Sequence, residues 1–454
     1  MVTVAVVGGA TPDRHLATRP RSARLHAFQG TSGHFVLDVE SGAVRSVPPS
    51  HAGMLHSALE GDVGRAELTA AALGLIKSEV KQVGIPRSVP VRALSLAVAQ
   101  KCNLGCTYCY AQQGAFGGAA RSMELNVAYA SVDRLVQDAP PGEPITLAFM
   151  GGEPLANRKV LHACTRYAAK QAAARRVPIG FSMTTNGTLI SEEDIALFQE
   201  FGFTLTVSID GMQATNDKLR PLRSGKGSFE RVEQGVAALM AVQGRRYRVS
   251  ARVTATPFNL DLVQTLSGLV DMGFDGVMFS PMLSAPSGRA QMEAEDLDRL
   301  LDELKRCGEI VVARLRHGEV LPFTNLIKTL QRIHAYERDA YPCGAGGGYM
   351  GVSADGGLFA CHRFVDDEDG RMGDITGGID DKKRVLWLNS RHLVNQSPCG
   401  SCWARYLCAG SCHYEAIKRG RPACDYIRGW LHYCLGVYAD LRKSPQKLQA
   451  LLSA

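Results

Sequence analysis

The chain has 454 residues, 45% apolar and 21% charged. That ordinary globular composition excludes a disordered or fibrous protein and, at ~150 residues per domain, allows about three domains. Lys and Arg total 51 against 44 Asp and Glu, a net charge of +7; this mild, dispersed surplus favours an anionic small ligand or peptide and falls far short of a nucleic-acid footprint. No stretch reaches the ~18 apolar residues of a membrane span.

The first residues, Met1 to His15, carry an apolar run without a basic flank and read as a buried strand, not a signal peptide. Residues 1–90 form a distinct unit. His34 to Val47 alternates apolar and polar residues around Ser41-Gly42 and predicts a β-hairpin. Ser50 is placed as the N-cap of a short helix reaching Leu59, and Ala66 to Val83 continues at helical spacing, with Ala71, Leu73, Leu75, Ile76 and Val80 on the apolar side. The unit reads as a small winged-helix-like module, with Ile85 to Pro90 as a linker. From 91 to about 320, strands at 93–99, 144–150, 179–184, 203–209, 248–255 and 275–280 alternate with helical patterns at 124–138, 157–176, 191–201, 228–243, 259–272 and 293–316. Six βα units with short connections imply an α/β fold, a parallel sheet covered by helices. Length and strand count fit a partial (β/α)6 TIM-like barrel; an open doubly wound sheet fits the same pattern. Residues 340–435 are rich in Gly and Cys, bury little apolar surface per residue, and need cross-links that metal clusters could supply. A helical pattern returns from Leu435 to Leu452, giving a C-terminal helix over 436–454.

The 13 cysteines are unevenly distributed. In a long chain with an odd count and no export signal, tight spacings point to metal ligation before disulfides. Cys102, Cys106 and Cys109 follow the first strand of the barrel, on the loop that would reach its C-terminal face. Three thiolates can hold three irons of a [4Fe–4S] cube and leave the fourth for a non-protein ligand. A zinc knuckle is the alternative, but residues 96–120 offer no fourth ligand. Cys164 and Cys307 fall within helical patterns and read as buried, inert thiols. The histidines show no paired ligand spacing, and His413 reads as a packing residue.

Through CxxxCxxC, with the aromatic Tyr108 before its third cysteine, the chain resembles the radical S-adenosylmethionine (SAM) enzymes. Further segments at the strand ends are similar to that family's motifs. Gly151-Gly152-Glu153-Pro154 matches GGEP, whose glycines would let the backbone approach a ligand and whose peptide groups and Glu153 would receive the methionine ammonium. Thr185-Asn186-Gly187-Thr188 follows the third strand. In Val207-Ser208-Ile209-Asp210-Gly211, Ser208 and Asp210 resemble carboxylate and ribose contacts, and Arg220 a bidentate partner for the SAM carboxylate. The resemblance implies an oxidoreductase whose open iron chelates SAM and whose cluster splits it into methionine and a 5′-deoxyadenosyl radical, the protein positioning the reactants and excluding water.

Cys343, followed by twelve residues, Gly356, four residues and Cys361, then Cys399-x2-Cys402-x5-Cys408-x3-Cys412, Cys424 and Cys434, resembles the SPASM extension of radical SAM peptide maturases. Zinc ribbons are the alternative reading of the CxxC pairs. The resemblance implies two auxiliary [4Fe–4S] clusters, three clusters in all. Cys343, Cys361, Cys412 and Cys434 would serve the nearer one, and Cys399, Cys402, Cys408 and Cys424 the farther. The Gly-rich loop Tyr341 to Gly348 leaves amides free to bond the sulfurs. The 1–90 module resembles the peptide-recognition element of such maturases, where a leader segment would add as a strand to a sheet edge; a plain capping domain is the alternative. Sulfatase maturases carry an Asp directly after the cysteine matching Cys361, where this chain has His362. The run from Tyr341 to Val365 looks instead like the thioether-forming maturases. Such an enzyme joins a cysteine sulfur to an Asp or Glu side-chain carbon in a small polypeptide, of the kind found as a small subunit of quinohemoprotein amine dehydrogenase, with an auxiliary cluster accepting the electron. The implied partners are that Cys-containing peptide and a low-potential donor, flavodoxin or ferredoxin, with no nucleic acid and no membrane, in a reducing cytoplasm. Other SPASM chemistry (carbon–carbon cross-linking, decarboxylation, epimerisation, sulfatase-type maturation) and a non-catalytic electron-transfer or peptide-binding role remain as alternatives.

Overall fold

The computed structural model describes residues 23–53, 55, 63–76, 83–86, 89–285 and 288–454. The strand expected at the N-terminus, the end of the helix expected to reach Leu59, Val80 and part of the expected linker lie outside them. Strands β1 (Leu25–Gly30), β2 (Gly33–Asp38) and β3 (Val44–Val47) form an antiparallel sheet in that order, so the expected hairpin is β2–β3. At its turn the Asp38 carboxylate accepts the Ser41 hydroxyl at 2.6 Å and the Glu40 N–H at 3.2 Å, a side-chain turn that sets the register. Alternation sends Val36 to a small core with Leu25, Val47, Leu55, Ala70, Leu75 and Ile76, and Phe35 and Leu37 to the main core. Residues 49–53 are helical, so Ser50 lies inside the first turn and is not its cap. The helical spacing expected from Ala66 to Val83 is shorter: α1 (Val63–Ala72) ends at a turn over residues 73–74.

The six strands expected in the central segment are β4 (Ala93–Gln100), β6 (Ile145–Gly151), β7 (Ile179–Thr185), β8 (Thr204–Ser208), β9 (Arg248–Ala255) and β10 (Gly276–Pro281). They are parallel and pair in chain order, with a short β5 (Arg121–Ser122) added to β4. A doubly wound sheet reverses its strand order partway across; this sheet does not. Right-handed crossovers that always step the same way put the helices on one face, which leaves the partial-barrel arrangement. Those helices are α2 (Leu125–Asp138), α3 (Arg158–Ala174), α4 (Glu192–Phe201), α5 (Gln213–Leu219), α6 (Phe229–Met240), α7 (Leu262–Asp271) and α8 (Ala294–Arg316). Helix α4 shows its local code well. Ser191 and Asp194 form a capping box, Glu192, Glu193 and Asp194 occupy the first turn, and Gly202 closes the end at φ 65°.

Among the described residues the sheet does not close. The free edge of β4 pairs with β11 (Tyr349–Val352) from the cysteine-rich region, Met350 opposite Leu94 and Gly351 opposite Ser95. Antiparallel β12 (Gly357–Phe359), β13 (Arg371–Asp374) and β14 (Gly378–Ile379) extend it further. The cysteine-rich segment therefore shares the main core instead of relying on cross-links alone. Two helices go beyond the sequence expectation, α9 (Thr324–His334) just ahead of the cysteine-rich region and the long α13 (Cys424–Leu441) at its end, with α10 (Asp381–Arg391), α11 (Arg405–Cys408) and α12 (His413–Lys418) between them. The expected C-terminal helix breaks after Leu441 and restarts as α14 (Pro445–Leu452).

The N-terminal sheet is locked to this C-terminal part. Buried Glu40 pairs with Arg405 and, at 3.0 Å, with Arg338, and accepts the Tyr406 hydroxyl at 3.2 Å. Asp440 on α13 accepts the Thr31 and Ser32 N–H groups at 3.0 Å each. Among the described residues no helix is long and apolar enough to cross a membrane.

Candidate active site

A cavity of about 470 Å³ opens at the C-terminal ends of the parallel strands. One wall is the loop after β4, with Cys102, Cys106, Tyr108, Cys109 and Tyr110. The floor is built from strand ends: Gly151 and Gly152 after β6, Thr185 and Asn186 after β7, Ser208 on β8, Arg252 and Thr254 on β9, and Ser280 on β10. The far wall is Tyr349, His362, Arg363 and Glu415. A larger groove of about 800 Å³, between α8, α13 and the β1–β2 turn, is lined by none of the cysteines.

The motif residues divide by role. Gly151 and Gly152 line the cavity, but their lack of a side chain answers first to the sheet. At Gly151, with φ 140°, a Cβ would stand 2.3 Å from the Ala99 carbonyl oxygen; at Gly152 it would stand 2.4 Å from that of Lys101. The Glu153 carboxylate does not line the cavity. It is fully buried and accepts the Thr185 hydroxyl and the Asn186 N–H at 2.8 Å and the Leu155 N–H at 3.0 Å. Burial raises its pKa, against those hydrogen bonds. Glu153 ties the loop after β6 to the loop after β7, and Pro154 is buried beside it.

Asp210 is also turned inward. Its carboxylate bonds the Tyr108 hydroxyl, accepts the Thr254 N–H at 2.9 Å and lies 3.8 Å from Arg220. Asp210 thus anchors the cavity residues Tyr108 and Arg220. Arg220 donates to the Tyr108 oxygen at 2.5 Å, while its buried Nε has no partner. Burial opposes the charge on Arg220, but Cys106, Tyr108 and Asp210 hold its pKa well above the usual value. Asn186 bonds Asn103 at 2.8 Å and approaches Cys102 Sγ at 3.7 Å. Burial pushes the Cys106 thiol up to about 12, so a bare thiol there is protonated and a bound cation is needed to hold it as thiolate.

Behind the far wall, burial pushes Cys361 up to about 12, with Cys412 and Cys343 close enough to add to it, and burial with nearby Cys412 raises Cys343. Arg363 reaches Cys412 Sγ at 3.9 Å. Cys399, Cys402, Cys408 and Cys424 surround a small separate cavity with Arg405, Arg421 and Arg428 at its rim. Cys434 joins neither set. It is fully buried on α13, where Thr329 of α9 bonds its sulfur. Among the described residues no three His, Cys, Asp or Glu side chains converge on a single-ion site; two groups of thiols stand around cavities, Cys102, Cys106 and Cys109 at the large one and Cys399, Cys402, Cys408 and Cys424 at the small one. Cys164 and Cys307 are buried, as expected, and burial pushes both up to about 12.

Several cavity residues lie outside the set that the sequence singles out. Arg252, Thr254 and Ser280 could have been found from strand alternation alone, which turns Ser250, Arg252 and Thr254 away from the apolar face of β9. Tyr349, Arg363 and Glu415 reach the site by long-range packing and leave no local signal.

Residues 96–266 match the Radical SAM superfamily. The chain is 25% identical to the serine-type anaerobic sulfatase-maturating enzyme of Klebsiella aerogenes over 403 residues, 83% of this chain and 93% of that protein. Among solved structures it is similar to hexahistidine-tagged anSMEcpe with bound AdoMet (TM-score 0.66, 21% identity, 80% of this chain and 98% of that one). It is also similar to Streptococcus suis SuiB bound to S-adenosylmethionine (TM-score 0.53, 15% identity, 88% and 97%). The stretch that matches that superfamily holds the cysteine loop and the strand ends from β6 to β9 that build most of the cavity floor. The chain is an enzyme of radical chemistry, a class that works with a SAM-binding [4Fe–4S] cluster and SAM. The donor set fits that pair: three thiols on one loop, and an orphaned guanidinium N–H of Arg220 beside the floor of strand-end hydroxyls.

Proposed function

We propose that this enzyme is a peptide maturase that joins a cysteine sulfur to a side-chain carbon of Asp or Glu, similar to the maturation enzyme of quinohemoprotein amine dehydrogenase. Cys102, Cys106 and Cys109 would hold the SAM cluster, and Arg220, Ser208, Asn186 and the Gly151–Gly152 backbone would hold SAM. Cys343, Cys361 and Cys412 would carry the nearer auxiliary cluster. Cys399, Cys402, Cys408 and Cys424 would carry the farther one, with Cys434 in neither. When bound, cluster and SAM supply a 5′-deoxyadenosyl radical that removes a hydrogen atom from the substrate. The chain's residues bind and orient. Tyr108 and Asp210 hold Arg220, Glu153 holds the loops around Asn186, and Arg363 of the far wall is held 5.0 Å over the ring of Tyr110 on the cysteine loop and 4.2 Å over that of Tyr414.

The observation that carries the reading is that one cavity is bounded both by the CxxxCxxC loop and by His362 and Arg363, the two residues that directly follow Cys361. A substrate carbon meeting the first wall then faces a second wall whose residues adjoin Cys361 and Cys412, Arg363 reaching the Cys412 sulfur at 3.9 Å. Overall the substrate loses two hydrogens, one as an atom and one as the thiol proton, and one electron leaves through an acceptor; the nearer cluster is suited to that by position.

The relatives favour a second reading, formylglycine formation as in the sulfatase-maturating enzymes. Against it, the position after Cys361 is His362, whose Nδ1 meets the Tyr349 hydroxyl at 2.9 Å, and Glu415, the carboxylate among the lining residues, is paired with Arg363. Reconstituted enzyme incubated with a Cys- and acid-containing partner polypeptide should lower its mass by two hydrogens and make that cysteine resistant to alkylation. A hydrazide-reactive aldehyde would establish the second reading, and an unchanged mass would reject both.

A further inference from the structure

We propose that Arg252 is the specificity-determining residue of the cavity and receives the carboxylate of an acidic substrate side chain. The inference rests on the reading of the site as one that works on Asp or Glu and assigns the chemistry that selects them.

Three guanidinium groups line the cavity, those of Arg220, Arg252 and Arg363, against the one lining carboxylate of Glu415. Two of the three are committed. Arg220 is held by Tyr108 and Asp210, and Arg363 by Glu415 and two aromatic rings. Arg252 is not. Its guanidinium reaches only the weak acceptor Met278 Sδ, at 3.8 Å, and among the described residues it forms no ion pair. Its side chain is open to the cavity, yet enough protein surrounds it that burial lowers its pKa, Arg363 adding repulsion while Tyr110 and Cys412 work the other way. A guanidinium without an ion pair in such a concave, partly desolvated place is costly, and a bound carboxylate relieves the cost.

The position is also productive. On β9, Arg252 stands between Ser208 of β8 and Met278 of β10 in the strand register. A carboxylate received by its planar fork would be flanked by the hydroxyls of Ser208 and Thr254. The methylenes of that Asp or Glu would then lie in the same cavity as the cysteine loop, which is where a hydrogen atom is to be removed. An amide side chain of equal size lacks the charge and offers one acceptor in place of two.

The test uses reconstituted, SAM-loaded enzyme and two small probes, N-acetyl-aspartate amide and N-acetyl-asparagine amide, titrated anaerobically by ligand-observed NMR. The wild type should bind the aspartate derivative roughly tenfold or more tightly than the asparagine one, the scale of a hydrogen bond to a charged group. Arg252→Gln should lose that preference. Arg252→Lys, which keeps the charge without the fork, should retain part of it. A wild type indifferent to the two probes, or an R252Q variant that discriminates as the wild type does, overturns the proposal. Neither result depends on the cross-link: a missing thioether leaves carboxylate recognition standing, and failed recognition leaves the thioether reading to its own mass assay.

Discussion

Tyr108, one residue before Cys109, is hydrogen-bonded through its hydroxyl to the buried carboxylate of Asp210 just beyond the end of β8. That contact ties the cysteine loop to the fourth strand of the parallel sheet and brings the Arg220 guanidinium into the same buried group. Tyr108→Phe removes the link while keeping the ring. Asp210 and Arg220 each lose a partner in a desolvated place, so stability should fall by about 1–3 kcal/mol. SAM affinity, measured by equilibrium dialysis of the reconstituted enzyme, should fall by roughly tenfold as Arg220 loses its orientation. Unchanged affinity would show that Arg220 is positioned without Tyr108.

The assignment of the C-terminal cysteines is open to iron analysis. Cys424→Ala should release most of the farther cluster, a loss of about four irons per chain. Cys434→Ala should leave iron content at the wild-type level and cost about 1–2 kcal/mol through the cavity left against Thr329. Iron lost on removing Cys434 would return that residue to a cluster.

Asp194 offers a pH test. Burial works against its ionisation, but hydrogen bonds from Arg158 (2.9 Å) and His162 (2.8 Å) hold its pKa below the usual carboxylate value. A carboxylate depressed in the folded state adds stability that is present above its unfolded pKa and lost as pH falls through the folded one. Asp194→Asn should therefore cost about 2–3 kcal/mol at neutral pH, discounted because the Arg158 side chain is 33% exposed. In denaturant titrations, variant and wild type should converge in acid, below the ordinary carboxylate range. A gap that persists or widens there would assign the effect to packing.

Glu40→Ala leaves the nearly buried Arg405 and its neighbour Arg338 without their carboxylate. Breaking a buried pair on one side costs about 3–5 kcal/mol. Amide exchange should accelerate in β1–β3 well before it does in β4–β10. Uniform acceleration would mean that the N-terminal sheet does not open separately.

Much of this architecture is legible locally. The six parallel strands and the six helices expected among them stand within a few residues of where period and turn residues put them, because each unit follows a local pattern of buried faces. The helix α9 is absent from the sequence reading although Leu326, Ile327, Leu330 and Ile333 form its buried stripe. Ser50 is no cap because the helix starts at residue 49. The two acidic motif residues, Glu153 and Asp210, read as ligand contacts from their place at strand ends. Packing turns both inward, where they hold the residues that do face the cavity.

The amino-acid order by itself determined the βα succession and the spacing of the thiols, since both depend on residues close together along the chain. Which cysteines share a cavity, why Cys434 stands apart, how β11 comes to pair with β4 and which arginine lacks a counter-charge were decided only by the tertiary structure. Those outcomes depend on contacts between segments far apart in the chain, and no local periodicity records whether a distant carboxylate such as Glu415 arrives beside Arg363 and leaves Arg252 unpaired.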